Sequence, residues 1–308
     1  MSNGKIQVEV MEPERETASA RELATYIKPA ASVQREFVRF TRLHRVLHVC
    51  MIVSFITLSM TGMSLKFSFT KWAVVLSHLL GGFQTAGFIH RTAALVMFGT
   101  FICHLVDLAK LKKKKYGDSW RAMVLGPNSM IPMKKDLDEF IATLKWFLHL
   151  GPKPEYGRWT YWEKFDYFAV FWGVFIIGST GLTLWFPVFF TRFLPGAFIN
   201  VATIIHSDEA LLATGFIFTV HFFNTHLRPE KFPMDTTVFT GRMALSELKR
   251  DKRREYDSLV ASGELEEHLA EPHPAIVLRT IRVFAWIALS TGFSIVIWII
   301  YAMLFAYR

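Results

Sequence analysis

Five long apolar runs constrain the fold of this chain more than any other feature of its sequence. They occur near residues 46–66, 88–109, 165–187, 201–226 and 281–305 of the 308-residue chain. About 20 helical residues cross the roughly 30 Å of hydrocarbon in a bilayer. Each run must be a helix, because lipid offers no partner to a free backbone N–H or C=O group. The sequence therefore predicts an all-α, polytopic membrane protein with five transmembrane helices, the first four forming a bundle.

The basic residues are concentrated in alternate connections between these runs. Eight lysines and arginines lie in residues 1–45, twelve in 110–164 and nine in 228–279. Because basic loops stay on the cytoplasmic side of a membrane, we expect the N-terminus and both long loops in the cytoplasm. The C-terminus is then periplasmic, in a bacterial inner membrane. Membrane topology and contact with lipid therefore explain the net charge of +9, and we expect no nucleic acid partner.

The same segregation divides the chain into parts. We expect a solvated cytoplasmic arm over 1–40, which includes a charged cluster at 12–16, a bundle over 41–230 with the cytoplasmic loop 110–164, a charged helical loop over 231–279, and a C-terminal span over 280–308. The first apolar run lacks the features of a removable signal peptide. Shorter helices are expected in three connections, namely an interfacial one in 67–87, a surface one over 136–150, and one or two over 245–269.

The two cysteines exclude two kinds of redox centre. Cys50 and Cys103 both lie inside apolar runs, and the chain has no C-x-x-C or C-x-x-C-H motif. Iron–sulfur clusters and covalently attached haem within this chain are therefore excluded. The sequence also has no P-loop or dinucleotide-binding glycine pattern. We interpret both cysteines as small core residues.

The histidines within the spans are the strongest functional signal. His90 and His104 lie 14 residues apart in the second span, and His206 and His221 lie 15 apart in the fourth. At about 1.5 Å per residue, each pair is separated by roughly 21–22 Å, with one histidine near each membrane surface on a similar face. Since ionisable groups are costly in a membrane, they default to a functional interpretation.

Both of these spans run from outside to inside, so their histidines match in depth. This places His90 level with His206 and His104 level with His221. Neutral imidazole suits axial ligation of haem iron, which needs one nitrogen on each side of the macrocycle. The pattern predicts a four-helix bundle holding two b-type haems. The alternative is that all four are structural histidines bonded to neighbouring carbonyls.

A family resemblance covers roughly residues 38–230. The first span contains Arg45, His48 and Thr61-Gly62, the second opens on His90, and the third ends with Thr180-Gly181-Leu182 and Trp185-Phe186 before His206 and His221 in the fourth. This combination resembles the b-type cytochrome subunits of formate dehydrogenases, nickel–iron hydrogenases and thiosulfate reductases. The resemblance implies that His90 and His206 hold an outer haem, and that His48 and His221 hold an inner one.

The sequence departs from that family at the inner level. His104 has no counterpart there and is similar instead to the arrangement in cytochrome b of quinol:cytochrome c reductase. Either His48 or His104 partners His221, or both are used and a third haem lies near the cytoplasm. For the third site the remaining candidates are His44 and His226. In an α-helix His226 would lie about 140° around the axis from His221, which argues against it.

Charged residues near the histidines suggest further roles. Haem propionates need cationic partners, and the candidates are Arg91, Lys71 and Arg192 outside and Arg42, Arg45 and Arg228 inside. Anchoring at lipid headgroups is the alternative for each. Asp208 and Glu209 follow the outer-level histidine of the fourth span and predict a quinol site or proton path there, while Asp107 could play the matching part inside.

The function expected from these residues is electron transfer through the bilayer. The resemblance implies a quinone-reactive subunit of a respiratory oxidoreductase complex, rather than an enzyme alone. It would exchange electrons between menaquinone or ubiquinone and a multihaem c-type, iron–sulfur or other catalytic partner subunit. A haem-binding anchor or assembly protein without turnover is the first alternative. A transporter that uses histidines for protons or metal is the second.

Overall fold

The computed structural model describes residues 35–232 and 234–306. The interpretations of residues 1–34, including the charged cluster at 12–16, lie outside the described residues. Twelve helical segments are labelled in chain order: α1 (Arg42–Lys66), α2 (Lys71–Leu79), α3 (Phe83–Lys115), α4 (Trp120–Leu125), α5 (Lys134–Phe147), α6 (Tyr161–Trp185), α7 (Pro187–Phe190), α8 (Ala197–Phe216), α9 (Thr237–Thr240), α10 (Leu245–Asp251), α11 (Arg253–Ser262) and α12 (Ala275–Tyr301).

Five of these helices are long and apolar enough to cross a membrane. They are α1, α3, α6, α8 and α12, of which α8 continues through π-helical turns to Leu227 and α12 to Ala306. The predicted all-α, polytopic membrane fold with five spans is therefore confirmed. Large apolar side chains cover the outside of the bundle, where they contact lipid. The shorter helices α2, α5, α10 and α11 lie in the connections where helices were predicted.

The first four spans form two pairs of helices. Helix α1 packs along α3, and α6 packs along α8, whereas α3 and α6 make few contacts with each other. The fifth span, α12, lies against α1 and the π-helical part of α8. A glycine permits this approach, because a Cβ atom at Gly292 would lie 2.5 Å from the Phe218 ring and 2.7 Å from the Phe222 ring.

A small sheet joins the chain before α1 to the last loop. Strand β1 (Glu36–Val38) lies between β2 (Arg242–Ala244) and β3 (Leu269–Ala270), and both pairings are antiparallel. Phe37 is buried there against Met243 and Leu248. Residues 36–38, expected to be part of a solvated arm, are thus bound to the loop 231–279. We call this end of the bundle the sheet end and the other the far end.

A buried ionic cluster holds the sheet end together. Glu255 on α11 accepts from Arg39 at 3.0 Å and from Arg158 at 2.8 Å. Lys252 donates to Glu163 at 2.5 Å, at the start of α6. Burial lowers the pKa of Lys252 to about 8, against the opposing effect of the Glu163 carboxylate. The cluster therefore fastens the last loop to the segment before α1 and to α6.

Loss of one charge in this cluster should destabilise the protein. In Glu255→Gln, the buried Arg39 and the half-buried Arg158 lose their shared carboxylate, and we expect the free energy of unfolding to fall by about 3–5 kcal/mol. The matched control is Glu266→Gln, which breaks the exposed Arg35–Glu266 pair and should cost less than about 1 kcal/mol. Unfolding of the purified protein in detergent measures both. Equal losses in the two variants would contradict a structural role for the cluster.

Candidate functional site

A cavity of about 2730 Å³ lies between the two helix pairs. Small-molecule pockets usually measure about 300–1,000 Å³, so this one has room for more than one large group. Its walls are mainly apolar. The seven histidines that lie in the spans or just before the first apolar run all line it: His44, His48, His90, His104, His206, His221 and His226. The structure thus brings the predicted residues to one continuous space.

His90 and His206 form a facing pair at the far end. Their ring centroids are 6.2 Å apart, and the ring planes meet at 73°. When two imidazoles bind the same metal ion through Nε2 at about 2 Å, with the ion between them, their ring centroids lie about 6 Å apart. The spacing of this far-end pair therefore suits one ion between the two rings.

Hydrogen bonds fix the tautomer of both rings. His206 Nδ1 lies 2.9 Å from the carbonyl oxygen of Ile177, which can only accept, so Nδ1 carries the proton. Thr61 Oγ1 donates to the Thr57 carbonyl at 2.7 Å and is therefore free to accept from His90 Nδ1 at 2.9 Å. Among the described residues neither Nε2 atom has a hydrogen-bond partner, so each keeps its lone pair for a ligand in the cavity.

The two histidines are held by the same arrangement on different helices. Thr180 Oγ1 lies 3.4 Å from His206 Nδ1, as Thr61 lies beside His90. The glycine after each threonine gives the imidazole room: a Cβ atom would lie 3.3 Å from His90 Cε1 at Gly62, and 2.9 Å from His206 Cε1 at Gly181. Thr61-Gly62 on α1 and Thr180-Gly181 on α6 thus have the same contacts with a histidine on the neighbouring helix.

The sheet end brings together a second set of histidines. His48 on α1 lies close enough to His221 and His226 to interact electrostatically with both. The last two belong to the π-helical turns of α8, Ile217–His221 and Phe223–Leu227. A π-helix bonds residue i to i+5, so residues five apart are neighbours on one face. The expectation that His226 points away from His221 assumed an α-helix and is wrong for this geometry.

The nitrogens of this sheet-end histidine group have different partners. His221 Nδ1 lies 2.9 Å from Asp166 Oδ2 on α6. The Nδ1 atoms of His48 and His226 are buried and have no hydrogen-bond partner in the described part of the chain. His221 therefore presents Nε2, and His48 and His226 have uncommitted nitrogens beside it.

His104 and His44 have other partners. His104 Nε2 lies 2.8 Å from the Tyr167 hydroxyl, and its ring packs edge-on against Phe171. His44 Nε2 lies 3.1 Å from Asp107 Oδ2. Of the two open choices for a partner to His221, His48 interacts with it electrostatically, whereas His104 is hydrogen-bonded to Tyr167 on α6.

The predicted charged residues divide into those on the cavity wall and those elsewhere. Arg91 and Arg228 line the cavity. Arg228 stacks on Trp162 at 4.9 Å, and its buried Nε has no partner among the described residues. Arg45 donates instead to the Phe239 carbonyl at 2.8 Å. Lys71, Arg192 and Arg42 are not part of the wall.

The two carboxylates predicted for a quinol site lie in different environments. Asp208 is exposed and pairs with Lys66 at 2.8 Å, which links the far ends of α8 and α1. Glu209 is half-buried and lines the cavity. Of the two, Glu209 is therefore the one placed to meet a ligand.

Sequence reasoning missed two residues of α6 at the sheet end. Asp166 and Tyr167 contact His221 and His104, respectively. The cost of a carboxylate in a membrane, the argument that singled out Asp107, applies equally to Asp166 at the second position of the third apolar run. Tyr167 gave no signal, because tyrosines are common near membrane surfaces.

Comparisons with known proteins add no relative: no protein-family model matches the chain, and no curated protein matches its sequence. Within residues 35–232 and 234–306, no group of three or more histidines, cysteines or carboxylates is arranged to hold a metal ion. The class that the fold defines is a multi-pass membrane protein with paired histidines on a large internal cavity.

Adding one methyl group at Gly181 tests whether the His206 imidazole needs the space beside this glycine. Gly181→Ala would press on His206 Cε1, and we expect a loss of about 1–3 kcal/mol in unfolding free energy. Gly99→Ala is the control, because a Cβ there meets nothing within 4 Å and alanine favours a helix by about 0.5–1 kcal/mol. Opposite signs are expected in detergent unfolding. A Gly181→Ala variant as stable as Gly99→Ala would contradict the contact.

Proposed function

We propose that this chain is the b-type cytochrome subunit of a respiratory oxidoreductase and carries electrons through the bilayer. One observation supports the proposal above the others. At the far end two imidazoles from different helices face each other at 6.2 Å, with their Nδ1 atoms bonded behind them and their Nε2 atoms unshared. Haem iron takes its two axial nitrogens from such a pair.

The residues around the cavity fit two b-type haems. His90 and His206 would hold one, and His48 and His221 the other. Arg91 and Arg228 line the cavity at the two levels and supply cationic partners for propionates. A haem in each site would accept and release one electron. A third haem on His226 and His44 has less support, because His44 is paired with Asp107.

The chain's own residues would set the ligands before any haem binds. Thr61, Thr180 and the Ile177 carbonyl keep Nδ1 protonated, so Nε2 is ready to bind iron without a change of tautomer. Gly62 and Gly181 leave room for the rings to turn towards the cavity. The mainly apolar walls would surround the bound groups with a medium of low polarity.

The orientation and partners are part of the same proposal. The sheet end carries the basic loops and would be cytoplasmic in a bacterial inner membrane, with the far end periplasmic. The bilayer would supply menaquinone or ubiquinone. A multihaem c-type, iron–sulfur or other catalytic subunit would exchange electrons at the far end. Glu209 remains the candidate for proton transfer to or from a quinol there, whereas Asp208 serves the pair with Lys66.

A reduced-minus-oxidised spectrum with a haem count per chain tests the proposal. Protein made with ample haem should bind two b-type haems that quinol reduces. Haem that quinol does not reduce would favour an anchor or assembly protein without turnover. Folded protein without haem would end the proposal, and bound transition metal in its place would favour a transporter.

Single histidine variants should assign the sites. We expect His90→Ala to lose one haem and keep the other, because His206 alone cannot complete the far-end pair. His48→Ala should lose the sheet-end haem, whereas His104→Ala should keep both, since His104 is bound to Tyr167. Haem content by pyridine haemochrome measures each. Full haem content in His90→Ala would overturn the assignment. So would a loss of haem in His104→Ala when His48→Ala loses no haem.

A further inference from the structure

Asp166 is a membrane carboxylate whose one visible partner is a histidine. Its Oδ2 lies 2.9 Å from His221 Nδ1, and its Oδ1 is buried without a hydrogen-bond partner in the described residues. No lysine or arginine of the described chain pairs with it. A half-buried carboxylate with so few partners is costly inside a membrane. The most direct compensation for the Asp166 charge is positive charge transmitted through the His221 imidazole.

We propose that Asp166 is a positioning residue that lowers the reduction potential of the iron held by His221. This inference rests on the function proposed above. A carboxylate on the far nitrogen of a metal-bound histidine fixes the ring's orientation and makes it a more basic ligand. A more basic ligand stabilises ferric iron more than ferrous iron, so the reduced state becomes harder to reach.

Among the residues that the structure describes, no carboxylate contacts the Nδ1 atoms of the far-end pair. His206 Nδ1 faces the neutral carbonyl of Ile177, and His90 Nδ1 faces the neutral hydroxyl of Thr61. The two sites therefore differ in the charge behind their histidines, although the histidines are the same residue type. Through this contact Asp166 favours electron transfer from the sheet-end site to the far-end site.

Redox potentiometry of Asp166→Asn tests the inference. Asparagine keeps a hydrogen-bond acceptor beside His221 and removes the charge. We expect the haem count to stay at the wild-type value, the sheet-end wave to move to a more positive potential, and the far-end wave to stay in place. The sheet-end wave is identified as the one that remains in His90→Ala. Asp166→Glu, which keeps the carboxylate, should restore a potential below that of the asparagine variant.

Asp107→Asn is the matched control. It removes the same charge from the sheet end of α3, where the carboxylate contacts His44 and not His221. An unshifted sheet-end wave in Asp166→Asn, or an equal shift in Asp107→Asn, would overturn the inference while leaving the proposed function intact. If Asp166→Asn loses its sheet-end haem, Asp166→Glu is the deciding variant. A sheet-end potential equal to that of the wild type in Asp166→Glu supports the role. A more positive sheet-end potential with full haem content in Asp166→Glu contradicts it. Wild-type protein without haem refutes the proposed function itself.

Discussion

The hydrogen bond behind each far-end imidazole is the interaction on which the rest depends. A histidine inside a membrane is neutral by preference, and a neutral ring has one proton and one lone pair to distribute. The Ile177 carbonyl and the Thr61 hydroxyl accept hydrogen bonds from the Nδ1–H groups, so each Nε2 keeps its lone pair for the cavity. If either acceptor were missing, the ring could present its N–H instead, and the 6.2 Å spacing of the pair would carry no ligand chemistry.

The division of the bundle into two helix pairs provides the space for that chemistry. Close packing joins α1 to α3 and α6 to α8, and the gap between α3 and α6 widens into the cavity. Protein interiors normally leave few voids larger than a water molecule. Here Gly62 and Gly181, which have no side chains, leave space in the cavity wall beside the imidazoles of His90 and His206. The ionic cluster at the sheet end and α12 on the outside then hold the two pairs in register.

Hydropathy and histidine spacing were enough to predict the five spans and the depth at which His90 and His206 meet, because both follow from the regular rise of an α-helix. The same assumption of a regular α-helix gave the wrong direction for His226, because nothing in the sequence Phe222-Phe223 indicates a change to π-helical hydrogen bonding. The strands of two and three residues were too short to produce an alternating pattern. The resemblance singled out Thr61-Gly62 and Thr180-Gly181 but not the contacts of their side chains, because a threonine beside a histidine looks like any threonine in a helix.

Helix α6 shows why a search for ligands alone is incomplete. It has no histidine, so counting candidate ligands passes over it. Yet it supplies the carbonyl and hydroxyl at His206, the carboxylate at His221 and the phenol at His104. The helices with histidines determine where a ligand can bind, and α6 determines which nitrogen is offered and how basic it is. Because its partners are neutral at the far end and anionic at the sheet end, one helix can give two histidine sites of the same composition different chemistry.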